Sequence, residues 1–309
     1  MNKLVMKYNT PAQDSDYGWE NESLPIGNGF TGANIFGVVE RERIQITHNS
    51  LTNPQYYYGK NFGGLNNFAE IYIHFPHSNC ENYERGLDLD NAVSYVKYTT
   101  GGVLYEREYI ASYPDRIVAM RFKSSVVGAL SFDLKPEIPF IKDFALEEGD
   151  GGGKKGTVAA FDNRIILKGT LEFFNVRFEG QFVVMCDGEI SAADGSISVK
   201  SATDATIYFV ADTNYELSEN VFLENDPKKK IPDIDPHDKV SAIMESALKY
   251  NYDELKKRHI EDYSNLFGRV SLSVGDTVDS FMPELFEKYR NGESVPYLEM
   301  LYFQFGRYL

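Results

Sequence analysis

The feature that most constrains this chain is a run of roughly a dozen short alternating segments before residue 232, with no helical stripe between them. Glu70–Phe75 sets Ile71 and Ile73 against Tyr72 and His74. Ala92–Thr99 and Val103–Tyr113 flank Gly101-Gly102, a two-glycine hairpin turn. In the second of these, Val103, Tyr105, Arg107 and Tyr109 share one face, opposite Leu104, Glu106 and Glu108. Arg116–Lys123 groups Val118, Met120 and Phe122, and Leu130–Leu134 continues the series. Strands resume at Asn163–Leu171 and at Arg177–Cys186, where Phe178, Phe182 and Val184 align. Glu189–Ala193 and Ser196–Lys200 close around Asp194-Gly195, and Ala205–Val210 follows. Strands that each present one apolar face, with no helices to cover it, bury that face by packing sheet on sheet. The fold class expected is mainly β: a large antiparallel β-sandwich (super-sandwich) over residues 1–232.

Before that series, Lys3–Tyr8 reads as a first strand and residues 9–18 as a loop. Residues 19–53 open on the only Trp and run through Leu24-Pro25-Ile26-Gly27-Asn28-Gly29. A strand is expected from Phe30 to Val39, then a turn at Glu40-Arg41 and a strand over Arg43–Thr47. Gly27, Gly29 and Gly32 so close together mark a corner that needs positive φ or close backbone approach. Gln55–Asn67 is a long loop carrying Tyr56, Tyr57 and Tyr58, aromatics suited either to stacking on sugar rings or to covering a sheet edge. Residues 142–157 form a polar, glycine-rich insertion expected to be mobile, and no strand feeds a helix there as a phosphate cradle requires.

After Asp226-Pro227 and the lysines 228–230 the period changes. Asp235-Pro236 signals a helix start, and Val240, Ile243, Met244, Ala247 and Leu248 form one stripe. Asn251 and Glu254 are spaced for a capping box ahead of a second stripe, Leu255, His259, Tyr263, Leu266 and Phe267. Arg269–Val274 returns to strand alternation, so 233–292 reads as a helical linker with one returning strand at 269–275. A short helix is expected around Pro283–Tyr289, before the turn at Asn291-Gly292. Tyr297–Leu309 is a helix with almost no polar face, which marks a helix that must be covered.

The wording of these stretches is specific. Trp19, Glu22-Ser23-Leu24-Pro25-Ile26-Gly27-Asn28-Gly29, Gly32-Ala33, Phe36-Gly37, Glu42-Arg43-Ile44-Gln45 and Asn49-Ser50-Leu51 resemble the opening of glycoside hydrolase family 95. The resemblance continues through Tyr83-Glu84-Arg85, Val103–Glu108, Thr213-Asn214-Tyr215, His259–Tyr263 and Phe303–Leu309, in order and over nearly the whole chain. It implies the N-terminal domain of an inverting α-L-fucosidase or related α-L-glycosidase, with residues 293–309 as the first helix of a catalytic (α/α)6 barrel. Inversion needs two carboxyl-type groups about 6.5–9.5 Å apart. The family's catalytic residues lie in the barrel, so none is assigned within this chain, and the chain alone is expected to be inactive and poorly soluble. Its expected partners are a carbohydrate substrate, a fucosylated or related oligosaccharide, and its own catalytic barrel. A cut near Gly275 is expected to leave the sandwich intact. Two other readings stay open: the sandwich of a family-65-like disaccharide phosphorylase, and a free-standing carbohydrate-binding module.

Composition sets the remaining bounds. At 309 residues the chain can bury about 75% of its unfolded surface. A net charge of −15 argues against nucleic acid and against an anionic membrane surface, and is compatible with a neutral sugar. No run of apolar residues is long enough to span a membrane, and MNKLVMKYNT lacks a signal-peptide pattern, so a cytoplasmic location is expected. Cys80 and Cys186 make no disulfide framework and are expected as buried free thiols. His74 and His77 point to opposite faces of a strand broken by Pro76, so no metal site is expected, and no cofactor either. Trp19, His48 and Asn49 are the candidate sugar-contacting residues. Where the family usually has an acidic pair before Ser/Thr-Leu and a Trp after it, this chain has Thr47-His48-Asn49-Ser50-Leu51-Thr52. Two readings stay open: the loop packs only against the barrel, or it reaches the substrate and the specificity differs from fucose.

Overall fold

The computed structural model describes residues 4–53, 56–57, 60–61, 64–141, 143 and 153–309. Two antiparallel sheets face one another. In spatial order the nine-stranded sheet runs β1 (Val5–Tyr8), β8 (Glu81–Asp88), β9 (Val93–Thr100), β10 (Val103–Ser112) and β11 (Ile117–Ser124). It continues through β18 (Asp204–Thr213), β15 (Val176–Cys186), β14 (Arg164–Leu171) and β13 (Lys154–Phe161). The seven-stranded sheet runs β16 (Glu189–Ala193), β17 (Ser196–Ala202), β12 (Leu130–Glu137), β7 (Gly64–His74), β4 (Arg41–Asn53), β3 (Thr31–Ile35) and β2 (Leu24–Gly27). A two-residue ladder joins β5 (Tyr56–Tyr57) to β6 (Lys60–Asn61). The helices are α1 (Asp16–Asn21), α2 (Glu219–Leu223), α3 (His237–Ala247), α4 (Tyr252–Phe267), α5 (Met282–Arg290) and α6 (Pro296–Tyr308).

The sandwich follows from alternation. Val118, Met120 and Phe122 of β11 enter the central core with Phe178, Phe182 and Val184 of β15 and Ile71 and Ile73 of β7. Gly101 and Gly102, at φ +57° and +78°, close β9 on β10 with Thr100 opposite Val103, and Asp194-Gly195 closes β16 on β17. The outer face of the nine-stranded sheet has its own core, where Val240, Met244 and Ala247 of α3 and Leu255 of α4 meet Ile110, Ile117 and Val210. Asp235 accepts from the His237 N–H at 2.9 Å to start α3. Asn251 and Glu254 form the expected capping box on α4.

A buried ion pair links the two sheets. Arg107 of β10 and Glu42 of β4 are 1% and 0% exposed. Glu42 accepts from Arg107 Nη1 at 3.1 Å, from Tyr109 Oη at 2.9 Å and from the Gly37 N–H at 2.7 Å. Arg107 also donates to the Val38 and Val39 carbonyls and to Tyr98 Oη, and its guanidinium lies 3.8 Å from the centre of the Phe75 ring. Burial pushes the Glu42 carboxyl up, against the Arg107 charge and the donors around it. Burial also works against the Arg107 charge, but Tyr98, Tyr109 and Glu42 outweigh it and hold the guanidinium protonated. Three donors converging on Glu42 suit an ionised carboxylate.

Helices α5 and α6 close the open side of the sandwich. Tyr297, Leu298, Met300 and Leu301 join the central core with Leu4, Met6, Leu24 and Ile26. Tyr297 Oη donates to the Val5 carbonyl on edge strand β1, and Tyr308 Oη to the Pro25 carbonyl on edge strand β2. Each contact satisfies a carbonyl on an edge strand, and the helix shields these two of the four sheet edges.

Several expectations are corrected. Residues 269–275 form no strand: the segment pairs with no sheet edge, and Arg307 Nη1 donates to the Val270 carbonyl at 2.9 Å. The expected loop 9–18 contains the start of α1, capped by Ser15, whose Oγ accepts from the Gly18 N–H. The strand expected from Phe30 to Val39 ends at Ile35, after which the chain turns around Arg107. Residues 64–67 belong to β7, while Tyr58 lies outside the described residues. The insertion at 142–157 is largely outside them too, and its last four residues are strand. Both cysteines are free, but Cys80 is exposed. Helix α6 is half covered rather than bare, with Tyr302 81% exposed.

Arg107→Met leaves Glu42 buried without its counter-charge and should cost about 3–5 kcal/mol, read as a lowered urea midpoint, whereas Arg107→Met with Glu42→Leu should recover much of that loss. Ending the chain at Gly275 should destroy cooperative melting by circular dichroism rather than spare the sandwich. Each core side chain lost from α5 and α6 contributes about 1.5–3 kcal/mol, and together they rival the whole stability of a domain.

Candidate functional site

At one end of the sandwich four segments converge: the corner between β2 and β3, the far half of β4, the β10–β11 turn and the end of β18. Asn28, buried in the corner, accepts from the Phe30 and Thr31 N–H groups at 3.1 and 2.8 Å and donates to the Ser112 carbonyl at 3.2 Å. That one amide ties the corner to the β10–β11 turn. Gly29 takes φ +79°, while Gly27 and Gly32 pair across the β2–β3 ladder, so of the three glycines only Gly29 needs the left-handed region.

The alternation of β4 divides the predicted residues. Asn49 is exposed, and its Nδ2 donates to the Gly29 carbonyl at 2.7 Å. His48 faces inward and is 2% exposed, so it is not part of the surface expected to contact sugar. Its Nδ1 lies 2.9 Å from Ser50 Oγ, which is 2.6 Å from Thr213 Oγ1 on the opposite sheet. Burial lowers the His48 pKa to about 4; Asp212 opposes this, and Arg116 and Lys239 add to it. Trp19, 39% exposed on α1, donates its indole N–H to Gln45. It lines a cavity of about 450 Å³ with Met6, Leu24, Phe286 and Leu298. Gln45 and Asn49 are four residues apart on one strand face, about 13 Å. The structure therefore keeps Trp19 and Asn49 on the surface but does not gather the three residues into one site.

Sequence reasoning missed the most exposed part of this end. Tyr113, 57% exposed, stacks on Phe30 with ring centres 5.8 Å apart and planes 16° from parallel. The Arg116 guanidinium lies 4.2 Å from the centre of the Phe30 ring and donates to Asp212 at 2.8 Å. Arg116 takes φ +52°, an uncommon conformation for a residue with a side chain. The available signals were an aromatic after Gly-Asn-Gly and a Tyr-Pro-Asp turn between two strong strands. His77, buried beside the interior pair, bonds Tyr98 Oη at 2.7 Å, and burial followed by the Arg107 charge lowers it to about 4.

Comparison with known proteins places this fold. The family described as "Glycosyl hydrolase family 65, N-terminal domain" matches residues 6–52 and 48–218. The "Glycosyl hydrolase family 95 catalytic domain" matches residues 251–309. A "Probable alpha-fucosidase A" of Aspergillus niger is 26% identical over 335 aligned residues, 93% of this chain and 40% of that protein. "Alpha-L-fucosidase 2" of Arabidopsis thaliana is also 26% identical, with the same coverage of each chain. The chain thus spans about 40% of the length of the curated relatives it matches. A solved structure, "Putative kojibiose phosphorylase from human microbiome", superposes with a TM-score of 0.53 at 14% identity, over 86% of this chain and 39% of that one. That likeness concerns the fold alone.

His48 has a folded pKa below its ordinary 6.5, so the unfolded chain takes up the proton first as pH falls. Its contribution to stability should be complete above pH 6.5 and lost progressively down to about pH 4. Urea midpoints measured across this window should show the chain losing stability relative to His48→Gln. Parallel curves would place the titration elsewhere.

Proposed function

We infer the function from the fact that this chain belongs to the glycosyl hydrolase family defined by the family 65 N-terminal domain and enters the family 95 catalytic domain at residue 251. The protein of which it forms the N-terminal part is a family-95-type hydrolase of α-L-fucosides or related α-L-glycosides. The sandwich serves as the rigid base on which the catalytic domain is built. Catalytic carboxyl groups lie in the remainder of that domain, and this chain supplies none of them.

One observation carries the reading: the segment matched to the catalytic domain is packed into both cores of the sandwich unit. Leu255 of α4 lies in the outer core, and Tyr297, Leu298, Met300 and Leu301 of α6 lie in the central one. Such a junction holds a catalytic domain in fixed orientation, where a flexible linker would not.

The test compares this chain with the gene's full product on an aryl α-L-fucoside and on 2′-fucosyllactose. The full product should release fucose without added phosphate, and the 309-residue chain should release none. Turnover by the shorter chain would move catalysis into the sandwich unit, and phosphate-dependent turnover would make the enzyme a phosphorylase.

A further inference from the structure

We propose that Tyr113, backed by Phe30 and flanked by Asn49 and Arg116, is a platform on which a neutral pyranose ring of the oligosaccharide stacks. The proposal rests on the glycosidase reading above and adds to it a specific contact surface in the sandwich. Nothing in the family matches assigns one there.

The platform is rigid before any ligand arrives. An exposed tyrosine at a hairpin turn ordinarily samples several rotamers, and ordering it on binding opposes affinity. Here the ring is already stacked on Phe30. Phe30 in turn is held by two backbone bonds, its N–H to Asn28 Oδ1 and its carbonyl accepting from the Asn49 N–H at 2.9 Å. Asn28 joins that corner to Ser112, next to Tyr113 itself. Arg116, over the Phe30 ring, is fixed by buried Asp212. The aromatic surface is pre-organised without any ligand.

Charge then selects the ligand class. Among the described residues at this end, Arg116 and Lys239 meet Asp212 at 2.8 and 3.0 Å, and Arg258 meets Asp115 at 2.9 Å. A phosphate or carboxylate ligand would have to displace one of these partners. A pyranose needs no such exchange. Its C–H face suits the electron-rich face of Tyr113, and its hydroxyls suit the amide of Asn49 at the rim.

The experiment uses the ¹⁵N-labelled chain titrated with 2′-fucosyllactose and, in parallel, with lactose. Amide shifts should concentrate at Gly29, Phe30, Asn49 and Tyr113. Tyr113→Ala should weaken the interaction about tenfold and Tyr113→Phe should retain it, with unchanged melting temperatures in both variants. No shift with either sugar, shifts confined to other surfaces, or equal binding by Tyr113→Ala would overturn the platform. In the full gene product, Tyr113→Ala should raise KM for 2′-fucosyllactose while sparing the aryl α-L-fucoside, whose aglycone is not a sugar. An unchanged KM counts against the platform alone, whereas failure of the unmodified product to hydrolyse either compound strikes the glycosidase reading itself.

Discussion

The Arg107–Glu42 pair is the constraint on which the arrangement of the two sheets depends. One charge comes from the nine-stranded sheet and the other from the seven-stranded sheet, and they meet in the buried interior between them. Taking both out of water costs several kcal/mol per ion, which their attraction roughly offsets. The pair is therefore a poor source of net stability and a strong source of specificity. A slip of one residue in β4 or β10 would turn one charge outward and leave the other buried alone. The same guanidinium collects the Val38 and Val39 carbonyls, and Glu42 collects the Gly37 N–H. The connection between β3 and β4 is thereby folded around the pair, and with it the path of the chain into the corner at Asn28.

A second constraint acts at the open side. Sequence families divide the chain between residues 218 and 251, yet the packing does not divide there. Helix α3 lies between the two matched regions and covers the outer face of the nine-stranded sheet, and α6 bridges β1 and β2 from opposite sheets. The two sheets end in four edge strands, β1, β13, β16 and β2, and the segment matched to the next domain packs against two of them, β1 and β2. Evolutionary unit and folding unit are therefore different objects in this protein, because apolar surface recognises no family boundary.

Much of this was legible in the sequence, and the failures have physical causes. The alternation of Val103–Tyr113 gave the buried face of β10 correctly, Arg107 included, and the Asn251–Glu254 spacing gave the start of α4. These are local signals, carried by period and by capping chemistry. The strand expected at 269–275 failed because alternation shows that a segment can pair but not whether the chain brings it beside a partner strand. Helix α1, at six residues, is too short to show a period and is marked only by its Ser15 cap. The division between His48 and Asn49 was available from alternation, but only once that stretch is read as strand rather than loop. The stacking of Tyr113 on Phe30 was not available at all. It exists because Asn28 brings two turns together, and no spacing rule links them.

The electrostatics of that end bear on what the molecule can discriminate. A net charge of −15 repels polyanions over the whole surface. It does not by itself choose among small ligands, because screening confines such fields to about 10 Å at ordinary salt. Selection at close range depends on whether a fixed charge lacks a partner, and at this end Asp212 and Asp115 are already matched by cations. A site whose charges are internally satisfied gains little from an anionic or cationic ligand and must hold what it binds through shape, ring faces and neutral hydrogen bonds. A mechanically tied aromatic pair is well matched to that requirement, since the contact energies are small and survive only where little ordering remains to oppose them.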